Sequence, residues 1–474
     1  MASIIRTDIC VIGAGAAGLS VASSAAMLGV PVVLIESRRM GGDCLNTGCV
    51  PSKALLAAAK AAQHAREAGR LGVRVRSVAI DRMAVGAHVR QAIAEIAPID
   101  SIARYRALGV EVIEGTAQFI DARTVAVGDR RIQARRFVIA TGAAASVPPI
   151  PGLAEVPYLT HETIFDLTET PKRLALIGGG PIGLEMAQAH RRLGSEVTLF
   201  EAKRIAGRED VDAARLIGRA LEREGVRLIE FARIRSVRGA AGAIQIDLEG
   251  AHLTRGQTFT HLLIATGRRP RVEGLGLEAA GVAYDAGGIT VDAGQRTSNR
   301  RIYAVGDVTG AAQFTHAAAH QAGVVLRNAL FRLPARRDEA SMPRVTYTDP
   351  EIAAVGLGEE EARAKHHGVQ TLRWPLGETD RARAEARHDG FAKILIDRKG
   401  RILGATLVGP HAGETIGLIG LAIRQKLKAG ALIDLILPYP TYAEAVRRAA
   451  LNSLAPSLRS AWTGRIIRFL RMFG

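Results

Sequence analysis

Only three cysteines occur in the 474 residues, and two of them, Cys44 and Cys49, stand close together in "GGDCLNTGCVPSK". Thiols placed like this can hold a metal, staple a loop or carry electrons. Zinc asks for four ligands, typically Cys and His at short fixed spacings. No His neighbours the pair, and the remaining Cys10 falls inside an apolar segment, so a metal site is not expected. A static bridge would close a loop of a few residues and constrain little of the unfolded chain. A redox pair has a physical basis. Pro51 suits the first turn of a helix that continues through "KALLAAAKAAQHA". Cys49 then sits at a helix N-terminus, where the dipole stabilises a thiolate. In an unbroken helix, residues five apart are separated by ~7.5 Å along the axis, whereas disulfide Cα separations rarely exceed ~6.8 Å. The segment before Pro51 is therefore expected to depart from regular helix, which Gly48 permits.

Two glycine fingerprints surround this chemistry. "DICVI" reads as a buried strand, "GAGAAG" opens an Ala-rich helix, and "PVVLIE" supplies a second strand ending at Glu36. Gly13, Gly15 and Gly18 have the spacing of a dinucleotide site: a tight turn, close backbone approach to a pyrophosphate, and close helix–strand packing. The helix N-terminus would face the phosphates, and Glu36 would accept from a ribose hydroxyl. The pattern returns in "LALIGGGPIGLEMAQAHRRLGSEVTLFE", with Gly178, Gly180, Gly183 and Glu201. Each acid follows its third glycine by eighteen positions. Two copies in register predict two bound dinucleotides. Glu201 favours the free 2′-hydroxyl of NAD over the 2′-phosphate of NADP, a preference that Lys203 and Arg204 would soften. Two matching strands, "FVIATG" with Thr141 and Gly142 and "LLIATGRRP" with Gly267, each follow a nucleotide segment. "RRIYAVGDVTG" is a further strand ending in Gly306 and Asp307, an acid placed to take a polyol hydroxyl.

Composition narrows the class. Length allows about three domains, and 48% hydrophobic residues with 51 glycines fit an α/β enzyme rich in tight turns. No apolar run reaches the ~18 residues of a membrane span. The apolar start of the chain carries Asp8 and runs into a glycine motif, so it reads as a first strand rather than a signal peptide. Three cysteines do not make a secreted disulfide framework, and a cytoplasmic protein is expected. The net charge of +17 is spread along the chain. It reads as a solvated surface, with docking of acidic partners or anionic cofactors as the sharper alternative. Nothing resembles a nucleic-acid-binding motif.

The redox motif and both fingerprints together resemble the flavin-dependent pyridine nucleotide–disulfide oxidoreductases, the group containing dihydrolipoamide dehydrogenase, glutathione reductase and mercuric reductase. The resemblance covers nearly the whole chain. It implies an α/β fold with two Rossmann-type doubly wound domains and an α+β dimerisation domain. Residues 1–150 would form the first part of the FAD-binding domain, 151–270 the NAD(P)-binding domain, 271–340 the second part of the FAD-binding domain, and 341–474 the interface domain. FAD would occupy the first fingerprint and the nicotinamide cofactor the second. Cys49 would be the flavin-side thiolate and Cys44 the sulfur that exchanges with substrate. Lys53 would approach the flavin and pair with Glu185, and Asp307 would hold the ribitol. Gly42 belongs to the redox motif, and Gly115 and Ala117 match the stretch passing the adenine. A homodimer is implied, each site completed by the partner.

The chain departs from the family in one place that matters. Lipoamide dehydrogenases and glutathione reductases carry His-Pro-Thr followed by Glu near the C-terminus, and that His is the base for the exchanging thiol. Here the segment reads "PYPTYAEA": Tyr439 stands in place of the His and Glu444 is kept. A phenol with pKa ≈ 10 is a poor base near neutral pH. His316 and His320 in "THAAAHQAG" are candidates for a compensating group, and Arg381 and Arg383 in "GETDRARAEARHDG" for anion recognition, although a structural histidine and a solvated charged loop are the plainer readings. Tyr at this position also resembles mercuric reductase, yet the terminal "RIIRFLRMFG" lacks that enzyme's cysteine pair and no N-terminal metal-binding domain is present, so full mercuric reductase function is not expected. The expected activity is dihydrolipoamide dehydrogenase-like exchange with a small disulfide or dithiol, or a lipoyl-bearing protein. Reduction of Hg(II) or another small electrophile is the alternative, and membrane-surface electron transfer from NADH to quinone a second. The tail can set Ile466, Phe469, Leu470 and Phe473 on one helical stripe beside arginines, for packing on the dimer or contact with a membrane surface.

Overall fold

The computed structural model describes residues 4–250, 257–454 and 460–473. The chain divides into two compact units, one built from residues 1–59, 79–202 and 232–337, the other from 60–78, 203–231 and 338–474. The tail segment 457–459 and residue 474 lie outside the described residues.

The first unit is organised by two sheets with parallel strands at their centres, the larger one carrying an antiparallel edge of Thr124–Val127 and Gln118–Asp121. Apolar runs bounded by glycine form buried strands, and strand Ile4–Ile12 is the centre of the larger sheet. It runs parallel to Val32–Glu36 on one side and Arg130–Ile139 on the other, with Cys10 level with Val33 and Phe137. Strand Glu111–Glu114 extends one edge. Strand Ile302–Ala304 joins Arg130–Ile139 in parallel. It therefore delivers Asp307, at the carboxyl end, to the same rim as the first fingerprint. Helix Ala16–Met27 packs its Ala17, Leu19, Val21 and Ala22 into the core of this sheet. The second sheet sets Arg173–Ile177 between Glu196–Phe200 and His261–Ile264, all parallel. Its fingerprint helix is Pro181–Arg192, with proline at the start, where its missing N–H costs nothing.

The second unit contains a five-stranded antiparallel sheet in the order Arg344–Thr346, Glu351–Gly356, Ile402–Gly409, Phe391–Ile396 and Gln370–Pro375. Helices Ala412–Arg424 and Glu444–Leu451 contribute Ile416, Ile419, Val446 and Ala449 to its core. A nearly buried ammonium, Lys393, is held here by Asp210, Asp212 and Glu359 at 2.8, 3.2 and 3.3 Å. Three carboxylates offset the cost of taking that charge out of water. Among the described residues, no helix is long and apolar enough to cross a membrane, and no group of three His, Cys, Asp or Glu is placed to hold a metal ion.

Cys10 is wholly buried in the central strand, and burial pushes its thiol pKa far up. It behaves as a small apolar side chain. Replacing Cys10 by Ser puts a hydroxyl among Val33, Ile113 and Phe137, and an unsatisfied buried hydroxyl costs ~1–3 kcal/mol. Urea denaturation of Cys10→Ser is expected to show that loss, with the electron-transfer activity of the folded protein unchanged.

Candidate active site

The predicted break in the redox segment is present. A short helix, Gly42–Asn46, carries Cys44; the chain leaves helical geometry at Thr47, and a new helix, Cys49–Glu67, begins on Cys49 itself. A Cβ on Gly48 would meet the Asp43 carbonyl at 2.8 Å, so the break depends on a residue without a side chain. The two sulfurs are not bridged in this geometry.

Between them lies a group that sequence reasoning missed. The Thr315 hydroxyl stands 3.2 Å from the Cys44 Sγ and 3.3 Å from the Cys49 Sγ. The hydroxyl donates to the Cys44 Sγ, and with the Cys49 Sγ it can donate or accept. The Cys49 thiol is lowered to about 6, first by its hydrogen bond with Cys44, then by Thr315 and the nearby Lys53 cation, against the opposing effect of burial. Cys44 moves the other way, pushed up by the same neighbouring sulfur and by burial. The two shifts are opposed, so the surroundings favour a thiolate on Cys49 over one on Cys44. His316, a candidate for a compensating group, is exposed and stacks on Phe314 with ring centroids 5.2 Å apart. The only signal for Thr315 was its place at the start of helix Thr315–Ala329, directly after the strand that ends near Asp307.

Lys53 and Glu185 meet as expected, Nζ to Oε2 at 2.9 Å. Glu185 is almost buried on the second fingerprint helix and Lys53 is on the redox helix, so the ion pair joins the two dinucleotide regions. A second network was not foreseen. Asp43, inside the redox motif, pairs with Arg268, and Arg268 also reaches Asp307 at 3.1 Å. Arg271 and His161 each approach Asp43 to 4.0 Å. Burial opposes ionisation of Asp43, but His161, Arg268 and Arg271 together hold its carboxyl below the usual range. Burial raises Asp307, only partly countered by Arg268. Strand pairing of Arg268–Pro270 with Ala143–Ala145 sets Arg268 in position, a long-range pairing invisible to local pattern.

The glycine geometry tests whether dinucleotides fit. In the first fingerprint, a Cβ on Gly13 would lie 2.4 Å from the Ala140 carbonyl and one on Gly18 1.9 Å from that of Gly13, whereas one on Gly15 meets nothing closer than 3.8 Å. The second repeats this: Gly178 and Gly183 are packed against backbone, and Gly180 faces open space. The outer glycines close the fold and the middle ones leave room for phosphate. Neither fingerprint helix has a side-chain cap, so its first N–H groups are available to an anion. Buried polar atoms of Thr47 and Arg268 also lack a partner within the chain. The residues fit FAD and a pyridine nucleotide.

The two strand-ending acids are anchored by backbone N–H groups of the loops beside them. Glu36 accepts from the Ala14 N–H at 2.6 Å and the Arg38 N–H at 2.7 Å, and Glu201 accepts from the Gly179 N–H at 2.6 Å. Gly115 lies beside Glu36, donating to its carbonyl at 2.8 Å, and Ala117 is buried. Thr141 donates to the Arg271 carbonyl at 2.8 Å; Gly142 and Gly267 take positive φ beyond their strands. Gly42 adopts φ +57° with its Cα against Gly15.

In the second unit Tyr439 is exposed and donates its hydroxyl to Asp380 at 2.8 Å, which raises its pKa. Glu444 accepts instead from Arg448 at 2.9 Å, and its Oε2 is buried without a partner. The His–Glu pairing of the resemblance thus has no Tyr–Glu counterpart. Arg381 is taken up by Glu385 and Arg383 by the Gly377 carbonyl, so both arginines hold the chain itself.

Comparison with known proteins agrees with this geometry. Residues 7–322 match the pyridine nucleotide-disulphide oxidoreductase family, and residues 342–450 match its dimerisation domain. A mercuric reductase of Lysinibacillus sphaericus is 35% identical over 94% of this chain and 82% of its own length. Dihydrolipoyl dehydrogenase 3 of Pseudomonas aeruginosa is 36% identical over 94% of this chain and 97% of its own. The HOCl-induced flavoprotein disulfide reductase RclA of Escherichia coli, solved as a Cu(II) complex, superposes with a TM-score of 0.83 at 30% identity, covering 93% of this chain and 98% of RclA.

Two outcomes test the site. Cys49 has a depressed pKa, so its thiolate is present above about pH 6 and lost below it. Iodoacetamide labelling of the reduced protein is expected to rise with a midpoint near there. Thr315→Val removes a charge-assisted hydrogen bond, of order 1.5–3 kcal/mol, and should move the midpoint up by about one pH unit or more, with Thr315→Ser restoring it. Gly15→Val is expected to fold yet purify without flavin, whereas Gly18→Val, which clashes with backbone, should lower the thermal midpoint in its own right.

Proposed function

The chain belongs to the pyridine nucleotide-disulphide oxidoreductases, and from that premise we propose that it catalyses dithiol–disulfide exchange of the dihydrolipoamide dehydrogenase kind, with NAD as its nicotinamide partner. As a member it is an FAD-dependent oxidoreductase working with NAD(P)H, and its dimerisation domain makes it a homodimer. Bound FAD supplies the two-electron relay between the nicotinamide and the sulfurs. The fingerprint of Gly13, Gly15 and Gly18, with Glu36, Gly115, Ala117, Thr141, Gly142 and Asp307, would hold it; Gly178, Gly180, Gly183, Glu201 and Gly267 would serve the nicotinamide cofactor. We propose the domain division given above on the same basis, with strand Ile302–Ala304 returning residues 271–340 to the FAD-binding sheet.

The observation that carries the reading is the cysteine pair with opposed shifts around Thr315. Cys44 exchanges with substrate, and Cys49 is the sulfur held as thiolate. A dithiol substrate attacks the Cys44–Cys49 disulfide at Cys44 and frees Cys49 as a thiolate; its second thiol then attacks the substrate sulfur bound to Cys44, so the substrate leaves as a disulfide and Cys44 as a thiol. Lys53 keeps a positive charge beside Cys49 throughout, and Glu185 keeps Lys53 in place. Glu201 supports NAD, because its carboxylate would repel a 2′-phosphate.

The phenol of Tyr439, held protonated by Asp380, supplies no base for the exchanging thiol. General-base help is worth ~10²–10⁴-fold, so substrates whose own thiol ionises readily, or that need no deprotonation, fit this site best. This favours a second reading, reduction of a small soft electrophile by NAD(P)H, in keeping with the mercuric reductases among its relatives.

Anaerobic titration with NADH separates redox from inert cysteines. A long-wavelength charge-transfer band is expected at two electrons per flavin, and is expected to vanish in Cys49→Ser. Plain bleaching alike in both proteins would remove the pair from the electron path and end the proposal. NADH should exceed NADPH in kcat/KM by about ten-fold or more, the size of one unfavourable charge contact at ~1.4 kcal/mol. Turnover with dihydrolipoamide against turnover with Hg(II) then decides between the two readings.

A further inference from the structure

The last described helix, Ala461–Leu470, buries none of its residues. At 3.6 residues per turn, Trp462, Ile466, Phe469 and Leu470 fall on one side with Ile467 at its edge, and Phe473 continues that side beyond the helix end. Arg465 and Arg468 fall on the other, and Arg471 extends it. The six apolar side chains are between 43% and 74% exposed. Phe469 and Phe473 meet edge to face with centroids 5.1 Å apart, so the apolar side is a formed surface. Ser460 caps the helix through the Thr463 N–H at 3.2 Å, which fixes its start in the chain's own chemistry.

What would cover so much apolar area is decided by charge. From residue 457 to 474 there are four arginines and no acid. The same helix of a second copy is a poor match, since it brings the same arginines and no acid to meet them. The dimerisation domain match also ends at residue 450, before this helix begins. An anionic lipid surface satisfies both faces at once: apolar side chains enter the boundary between headgroups and acyl chains while arginines stay among the phosphates. A tryptophan on the apolar side suits that boundary.

We propose that helix Ala461–Leu470 is a membrane-surface anchor that seats the dimer on an anionic bilayer leaflet without crossing it. The inference is independent of which substrate the redox pair serves. Because attachment combines apolar burial with electrostatic attraction, it is salt-sensitive, and each arginine contributes about a five-fold factor in partitioning.

Flotation of the purified FAD-loaded dimer with vesicles tests it. The enzyme is expected to float with vesicles of mixed phosphatidylglycerol and phosphatidylcholine, but not with phosphatidylcholine alone. The triple variant Arg465→Gln, Arg468→Gln, Arg471→Gln is expected to bind roughly a hundred-fold more weakly, and Ile466→Ser with Phe469→Ser to stay at the bottom. All variants should keep their flavin and their NADH oxidation. Wild-type protein remaining at the bottom with anionic vesicles would overturn the proposal, as would equal flotation of the arginine variant. Sedimentation velocity supplies the other test: if deletion of residues 457–474 turns dimers into monomers, the partner subunit covers the helix and the membrane anchor is wrong.

Discussion

Everything in the redox half of this molecule hangs on one backbone contact, Gly42 against Gly15. A Cβ on Gly42 would come within 2.7 Å of the Gly15 Cα, and the adjacent Gly41 N–H donates to the Ala14 carbonyl at 2.9 Å. Contact between main chains leaves no side chain to yield, so the turn that introduces the cysteines is locked to the loop that receives a pyrophosphate. The short helix, the break at Thr47 and the new helix starting on Cys49 follow from that anchor. Without it, a dinucleotide site and a thiol pair would be neighbours in sequence only.

The charges around the anchor divide the labour. On one side the ion pair of Lys53 with Glu185 places a cation beside Cys49 and joins the redox helix to the second fingerprint helix. Glu185 is nearly buried, and a buried carboxylate is tolerated only with a partner, so the cation is secured by the carboxylate's own need. On the other side Arg268 links Asp43 of the redox motif to Asp307. An acid in the redox motif and an acid at the rim of the sheet would repel each other across a low-dielectric site; the guanidinium between them removes that conflict. Thr315 adds the element that charge cannot, a hydroxyl within hydrogen-bond reach of both sulfurs.

At Tyr439 the chain keeps the scaffold of its family and changes the chemistry. A phenol hydrogen-bonded to Asp380 is held as a donor, whereas an imidazole paired with a carboxylate is readied as a base. Glu444 survives but turns to Arg448. On the proposed function, a phenol there moves the burden onto the substrate's own acidity, which is why dithiol exchange and reduction of a soft electrophile are both proposed for one site.

The local sequence determined what local geometry controls. Glycine spacing and a proline after Cys49 act within a few residues, and each strand-ending acid belongs to the same strand–helix–strand unit as its glycines, so both fingerprints, the α/β class and the interrupted helix around the cysteines were legible in the sequence. The resemblance supplied the Lys53–Glu185 pairing, which no local rule could reach. Thr315, Asp43, Arg268 and His161 were not legible, because what makes them functional is proximity across more than a hundred residues. Thr315 is an ordinary first residue of a helix until that helix is set against the redox turn, and Arg268 an ordinary arginine until its strand pairs with Ala143–Ala145. The helix start already pointed to Cys49 as the thiolate, but only chain folding decided which groups surround the two sulfurs, since a pKa is set by the groups in contact with an atom and by its distance from water, and neither is written in residue order.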